Sequence, residues 1–534
     1  MTAAFDMGNM AQQTRLHSLL AKTGDRSARV VKGDSGALIS SVACDSRKVE
    51  AGALFFALPG TASDGRRFID DAVRAGATAI ALPVDADAAN AIGSIGHGVA
   101  VVTAQSPRKL LGLVASELAG RPSERLTVVG VTGTSGKTST TYFCEAIARE
   151  AAIDAGVVGT IEHRFGGDRV SAGLTTPDAI ELQDLFARMR RAGLSHVFME
   201  VSSHALSLDR LAGTALTAAV YTNLSRDHLD YHGDIAGYEA AKAKLFREVL
   251  PSSPRAAFAA LYAGDPRIRA LAAEIPVPTL TFGEDGDVRA EDVVFHERGI
   301  RGTLRLGGER VAFETRLIGG PHLANLLAAA AVCWRLGLST EAIARGIAGL
   351  DRVPGRLEAV DRGQPFQVIV DYAHKPDALE RTLESLRQVA TGRLITVFGC
   401  GGDRDRGKRP LMGEIAGRLS HLVIITSDNP RTEDPMAIID AIVPGVQEAN
   451  CTPVAQEALG QGGAAEYAVV PERRAAIDRA IEVAREGDVV VIAGKGHEDY
   501  QIVGTTKWHL DDREEVGRAL GRRGFVADGA GGPA

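Results

Sequence analysis

LTVVGVTGTSGKTSTTYFCE, residues 126–145, decides the fold of this chain. Val128 to Val131 is an apolar, mostly β-branched run of the kind that forms a buried strand. It enters a short turn, Thr132 to Gly136, and a helix opens at Lys137. Strand, Gly-containing turn and Lys-Thr at a helix start make a phosphate cradle. The first N–H groups of a helix have no partners within it, and together with the helix dipole they favour an anion. In such a cradle Lys137 reaches the outer phosphates and Thr138 offers its hydroxyl to Mg²⁺. The spacing is tighter than the common P-loop, which has glycine where Val131 stands. What stands here is Gly133-Thr134-Ser135-Gly136-Lys137-Thr138-Ser139. A GKT triplet alone is weak; the flanking strand and helix separate it from an ordinary strand-to-helix turn.

A chain of 534 residues is too long for one core, and about three domains are expected. A net charge of −7 argues against general nucleic-acid or membrane binding, so any basic site must be local. The cysteines (Cys44, Cys144, Cys333, Cys400 and Cys451) are odd in number and scattered without metal or redox spacing. Reduced thiols of a cytoplasmic protein are expected. The N-terminal MTAAFDMGNMAQQTRL lacks a signal-peptide pattern, and no run approaches the roughly 18 apolar residues of a membrane span. The tail 527–534, ADGAGGPA, reads as disordered.

Three α/β units are expected, at residues 1–122, 123–352 and 353–534. In the first, polar turns at Cys44 to Val49 and Pro59 to Arg67 bracket the strand-like Ala53 to Ala57. In the second, the strand His196 to Val201 carries Glu200 near its C-terminal end. That is where open α/β sheets hold ligands, and a carboxylate beside a phosphate loop suits Mg²⁺. Pro177-Asp178 reads as a helix start, and the strand Ala218 to Thr222 runs into a dense polar stretch, Asn223 to Gly233. Lys242 and Lys244 look like a solvated helix face. The third unit has strands at Val368 to Asp371, Leu394 to Phe398, Leu422 to Thr426 and Val489 to Ala493, each ending in a polar loop. Parallel strands put these loops on one edge. Opposite charges gathered there suit a zwitterionic amino acid or a phosphate. Gln456 to Tyr467, Gly- and Ala-rich, reads as a flexible loop.

GTSGKTS at 133–139, TTPD at 175–178, MEVSSHAL at 199–206, TNLSRDHLDYHG at 222–233, YEAAKAKLF at 238–246, VPGRLE at 353–358, DYAHKPDAL at 371–379, FGCGGDRDRGKRPLM at 398–412, DNPRTEDP at 428–435 and GKGHEDYQ at 494–501 occur in one order. This set resembles the Mur ligases, within them the branch that adds meso-diaminopimelate, and the resemblance spans nearly the whole chain. Single motifs recur in folylpolyglutamate synthase, but that relative leaves residues 1–122 unexplained. The resemblance implies an N-terminal UDP-binding domain, a central P-loop ATPase with a mostly parallel sheet, and a C-terminal Rossmann-like domain. It implies an ATP- and Mg²⁺-dependent amide ligase of peptidoglycan precursor synthesis. The substrates would be UDP-N-acetylmuramoyl-L-alanyl-D-glutamate and meso-diaminopimelate, and the enzyme a cytoplasmic monomer without nucleic-acid partners.

The resemblance also implies roles. Gly133 to Ser139, Asn325, Arg356, Asp371 and His374 would form the ATP site. Thr138, Glu200, His228 and a carbamylated Lys242 would hold metal, reversing the solvated-face reading of Lys242. Lys137, Glu200, His228 and Lys242 would be catalytic. Ser46, Thr175, Thr176, Ser202 and Arg210 would bind the nucleotide-sugar dipeptide. Arg404, Asp428, Asn429, Pro430, Arg431, Gly494 and Glu498 would bind the amino acid, with Arg431 on its distal carboxylate. Lysine-adding relatives lack this arginine. A scaffold without catalysis would lack metal or phosphate residues, and these are present. Two positions depart from the family pattern: Leu208 stands where a polar Gln is common, and His322 where Asn is usual.

Overall fold

The computed structural model describes residues 13–525, apart from 61–62, 86–87, 97 and 463–464. The expectation of a disordered 527–534 tail lies outside the described residues. Three α/β units are built on three sheets. The first sheet orders Arg29–Lys32, Ala100–Ala104, Ala79–Pro83, Ala53–Phe56 and Ser41–Ala43, parallel except for the first strand. The third orders Glu358–Ala359, Gln367–Asp371, Val489–Ala493, Leu394–Phe398, Leu422–Ile425, Glu466–Val469 and Thr452–Pro453, with only the first strand antiparallel. Among the described residues no helix is long and apolar enough to cross a membrane.

The central sheet has 11 strands. Thr127–Thr132 lies inside it, flanked by His196–Glu200 and Ala218–Tyr221, both parallel to it. The strand next in sequence, Ala155–Val158, lies beyond His196–Glu200, while Ala218–Tyr221 lies on the other side. The chain therefore leaves Thr132 at a switch point, where an open sheet forms a crevice at its carboxyl edge. Register brings Glu200 level with Val131, and Tyr221 level with Thr132. Alternation divides the strand between two cores. Val129 and Val131 pack with Phe143 and Ile147, and Val128 with Leu182 and Met189. Both faces are covered, so the run is apolar throughout.

The central sheet is mostly parallel, as expected, and continues through Val288–His296, parallel to Thr279–Phe282, into the antiparallel strands Gly299–Leu306 and Glu309–Thr315. These extend the sheet beyond the nucleotide crevice, under the helix Gly320–Arg335. One expectation needs correction: the segment 456–467 is not simply a loop. Gln456–Ala458 forms a 3₁₀ turn, Leu459 is buried, and Glu466–Val469 is a parallel strand. The Glu466 carboxylate, also buried, accepts the Gly460 N–H at 2.6 Å and folds the segment back on itself.

The cradle helix, Lys137–Glu150, is held from behind by the helix Thr340–Ala348. Their approach is so close that a Cβ on Gly346 would lie 2.4 Å from the Ile147 Cα. Gly346→Val is expected to cost about 1–3 kcal/mol by overpacking and to lower the thermal midpoint followed by circular dichroism. An unchanged midpoint would mean that the two helices separate freely.

Candidate active site

The phosphate loop is braced by the strand beside it. The Thr134 and Ser135 N–H groups donate to the Asn223 carbonyl and Oδ1, each at 3.0 Å. Asn223 Nδ2 and Thr222 Oγ1 donate to the Ser135 carbonyl at 2.9 and 2.6 Å. The Thr134 hydroxyl accepts the Ser225 N–H at 3.0 Å. The loop glycines leave no room for side chains. A Cβ on Gly133 (φ +149°) would sit 1.9 Å from Thr222 Oγ1, and one on Gly136 (φ +87°) 2.3 Å from Asn325 Oδ1. Asn325 thus abuts the second loop glycine.

A half-buried lysine, Lys137, and a buried one, Lys242, meet at one carbonyl. Lys137 Nζ donates to Gly133 O at 2.9 Å and to Thr134 O at 3.1 Å. Lys242, 1% exposed, donates to Gly133 O at 2.9 Å, and its Nζ lies 4.5 Å from the Tyr238 ring centroid. The solvated-face reading of Lys242 is therefore wrong. Burial brings Lys137 down to about 8, with Glu200 opposing. Burial, then the Lys137 charge, holds Lys242 well below the usual lysine range.

Glu200, 1% exposed, accepts Thr138 Oγ1 at 3.0 Å, the Thr160 N–H at 2.9 Å and Thr160 Oγ1 at 2.9 Å. Thr160 Oγ1 lies 3.1 Å from Thr175 Oγ1. Thr176 Oγ1 donates to Glu200 O at 2.9 Å and accepts the Ser202 N–H at 3.0 Å. Arg210 donates to Thr176 O at 3.0 Å and pairs with Asp178 at 2.9 Å. Ser46 stands apart, on the one-turn helix Ser46–Lys48 of the first unit. Leu208 ends the short helix Ser203–Ser207, its N–H on His204 O.

His228, at φ +51°, places Nε2 3.1 Å from Asp227 Oδ2. Burial brings His228 to about 4 against the pull of Asp227, so its ring is neutral near pH 7. Asp227 pairs with Lys375 of the third unit as well. Burial alone would raise the Asp227 carboxyl, but the Lys375 and His228 charges carry it far below the carboxylate range.

The third unit closes one side of the site. Arg356 Nη2 is 3.4 Å from Thr138 Oγ1, and its guanidinium lies 4.3 Å from the Tyr372 ring centroid. His322 Nε2 donates to Arg356 O at 3.0 Å, which ties the helix Gly320–Arg335 to the crossing between units. Asp371 accepts Leu357 N–H, Ala373 N–H and Thr382 Oγ1 at 2.8, 3.0 and 3.1 Å, so its carboxylate braces the loop. His374 Nδ1 donates to Tyr372 O at 2.8 Å. Thr134 to Ser139, Glu200, His228, Asn325, Arg356, Asp371 and His374 line a single cavity of about 1130 Å³. Lys242 lies beneath its floor.

The amino-acid candidates form a second group at the edge of the third sheet. Asn429 Nδ2 donates to Glu498 at 3.0 Å, and its Oδ1 accepts the Ile502 N–H at 2.9 Å. Gly494, at φ +122°, has no room for a Cβ, which would fall 2.5 Å from Asp428 Oδ2. Arg431, at φ +52°, donates Nη1 to Gly402 O at 2.9 Å. The Pro430 carbonyl presses on Gly402, where a Cβ would approach to 1.9 Å. Arg404 is exposed beside Gly401, with Nη1 on Asp403 O at 2.9 Å. Burial, then Asp428, raises Glu498. Tyr372 joins the two groups: it lines the large cavity, and its hydroxyl lies 3.5 Å from Glu498.

Sequence reading missed Thr160, Asp227, Lys375 and Lys495. Lys495 is fully buried, with Nζ 3.3 Å from Asn429 Oδ1 and 3.6 Å from Glu498. Each follows a strand at the carboxyl edge of its sheet, and that position was the available signal. The donors fit a hard cation at one point. Thr138, Glu200 and Thr160 converge as oxygens alone, which suits Mg²⁺. At His228 and Lys242, the lysine must first become anionic to serve as a ligand.

Known proteins are similar to this chain over nearly its whole length. Three family descriptions match in order: Mur ligase family catalytic domain at residues 38–117, Mur ligase middle domain at 131–333, and Mur ligase glutamate ligase domain at 355–496. UDP-N-acetylmuramoyl-L-alanyl-D-glutamate–2,6-diaminopimelate ligase of Geobacter metallireducens is 46% identical over 92% of this chain and 97% of its own length. The protein of that name from Geobacter sulfurreducens is 47% identical over 91% and 95%. A solved structure of a ligase with that name superposes with a TM-score of 0.68 at 30% identity, covering 96% of this chain and all of its own. The chain belongs to the Mur ligase family.

Proposed function

We propose that this chain is an ATP-dependent ligase joining meso-diaminopimelate to the D-glutamyl carboxylate of UDP-N-acetylmuramoyl-L-alanyl-D-glutamate. The carrying observation is the placement of Arg431. It sits in left-handed backbone, its guanidinium resting on a neutral carbonyl, within a loop cluster that also holds the carboxylates Asp428 and Glu498. Such a cluster offers a cation to a distal carboxylate and anions to ammonium groups. A carboxylate is a stronger partner for a guanidinium than a peptide oxygen.

In this reading the units meet at residues 122 and 352. The loop N–H groups and Lys137 hold the β- and γ-phosphates, Asn325 meets the base, and Arg356 reaches in from the third unit. Thr175, Thr176, Ser202 and Arg210 present the dipeptide, and Ser46 meets its nucleotide end. A D-glutamyl oxygen attacks the γ-phosphorus, and the bond to the bridging oxygen breaks with its electron pair staying on ADP. The amine of the diamino acid then attacks the acyl carbon, a proton is lost, and phosphate leaves. The protein's part is alignment and charge neutralisation. Mg²⁺ held by Thr138 and Glu200, with a second ion at His228, would neutralise phosphate charge. Burial and the Lys137 charge disfavour the ammonium form of Lys242, which favours the nucleophilic amine that carbamate formation requires. A monomer in the cytoplasm suits a chain that carries every substrate group itself and has five free thiols.

The direct test supplies ATP, Mg²⁺ and the dipeptide nucleotide with meso-diaminopimelate or L-lysine, recording phosphate release and product mass. A tripeptide product with diaminopimelate alone is expected. Product with lysine instead would overturn the reading of Arg431, and no product would overturn the ligase. Arg431→Ala should raise KM for diaminopimelate about 100-fold, the loss of a charge-assisted pair. KM for ATP should stay within about twofold, since no ATP contact is removed.

Lys137 gives a pH signature. In the free protein it is charged below about 8 and neutral above. A bound phosphate favours the charged form, so ATP binding at about pH 9 should take up close to one proton. Calorimetry in buffers of different ionisation enthalpy reads this directly. Uptake that persists in Lys137→Met would assign the proton elsewhere.

A further inference from the structure

One ion pair joins the third unit to the phosphate cavity and has no part in the mechanism above. Lys375 precedes the helix Pro376–Arg387, in the loop leaving the strand Gln367–Asp371. Its ammonium pairs with Asp227 of the central unit, and the two side chains are only 18% and 9% exposed. The loop beneath it is fixed. Asp371 accepts three hydrogen bonds, and the His374 carbonyl accepts Lys408 Nζ at 2.8 Å. Lys375 lines the same cavity as Thr138 and Glu200, and its charge depresses both Lys137 and Lys242. Lys137 and Lys375, from two units, thus line one space with Lys242 beneath it, and the place of Lys375 depends on how the units meet. A pair serving only to join units could lie anywhere along their contact. This one stands in the wall of the site where a polyphosphate would bring several negative charges.

We propose that Lys375 is a further catalytic residue, a cation supplied by the third unit that turns from Asp227 to the transferring phosphoryl group as the acyl phosphate forms. This rests on the ligase reading. In the step, the glutamyl oxygen forms a bond to the γ-phosphorus, the bond to the β,γ-bridging oxygen breaks, and the electron pair leaves with ADP. No proton moves. Lys375 neutralises charge on the non-bridging oxygens, and Asp227 remains a carboxylate beside His228. A cation brought in by a second body is worth about 10³–10⁵ in phosphoryl transfer.

Positional isotope exchange in ATP labelled at the β,γ-bridge reads this step with the dipeptide nucleotide present and the amino acid omitted. K375M is expected to lower exchange about 10³-fold, with the ATP Kd changed less than about threefold and K375R keeping most of the rate. K375Q, which can still hydrogen-bond to Asp227, should lose as much as K375M and carries the test if K375M does not fold. Exchange within about threefold of the parent in either uncharged variant would overturn the proposal, as would a loss matched by an equal rise in ATP Kd. A parent chain with no dipeptide-dependent exchange would instead refute the ligase reading.

Discussion

The Gly133 carbonyl accepts hydrogen bonds from two lysine amines, the half-buried Lys137 and the buried Lys242. The electrostatics of the site follow from that arrangement. Removing an ammonium from water is costly, and a peptide oxygen repays only part of the cost. The depression of both lysines is the same fact seen from the proton's side. A polyphosphate restores what burial removed, so binding and charge compensation are one event. The loop can hold this arrangement because Asn223 and Thr222 fix it from the adjacent strand and because neither of its glycines carries a Cβ. The donors are therefore in place before any anion arrives, which is the sense in which such a site is preorganised.

Two units contribute to that pocket, the central one and the third, whose sheets present carboxyl edges toward it. Register in the central sheet sets Glu200 and Asn223 on either side of the phosphate loop. From the third sheet come Arg356 and Lys375, anchored by an Asp371 whose oxygens are fully engaged. Tyr372 stands between the cavity and the Asn429–Glu498 pair, so its ring separates the two groups by one side chain. His322 fits the same logic. Its ring donates through Nε2 to the Arg356 carbonyl, a tie between units made by the polar side chain at this departed position.

The strands with polar loops at their ends were legible because burial on both faces leaves an unmistakable apolar run, as in Val128 to Val131 and Val489 to Ala493. Glu200 was legible for the same reason, being a carboxylate at the end of such a run beside the phosphate loop. Residues whose meaning lies in a distant partner were not. Asp227 and Lys375 each look like one more charge in a polar loop until folding brings together positions 148 apart. Lys242 has the local pattern of a solvated face, and tertiary packing overrides it. Gln456 to Tyr467 misled through composition, since its order comes from Leu459 and Glu466, not from its glycines. The antiparallel strands from Val288 to Thr315 alternate in exposure and are rich in Arg and Glu, so they lack the apolar run that marked the parallel ones.

In the proposed function, discrimination between amino acids falls to the segment around Arg431, and its construction is backbone before side chain. The Arg431 N–H donates to Ile502 O and its carbonyl accepts the Gly504 N–H, so the hairpin Tyr500–His509 grips both sides of the residue. That grip holds a non-glycine residue in left-handed backbone, which costs roughly 1–3 kcal/mol. The return on this strain is direction: the guanidinium is aimed at the rim formed by Gly401 and Gly402, where small residues leave space. Asn429 accepts from the same hairpin at Ile502 and donates to Glu498, so the acid and the guanidinium are referred to one frame. A ligand that lacks the distal carboxylate would meet the same fixed guanidinium, gain nothing from it, and displace its solvent. Selectivity of this kind comes from a group that cannot move away.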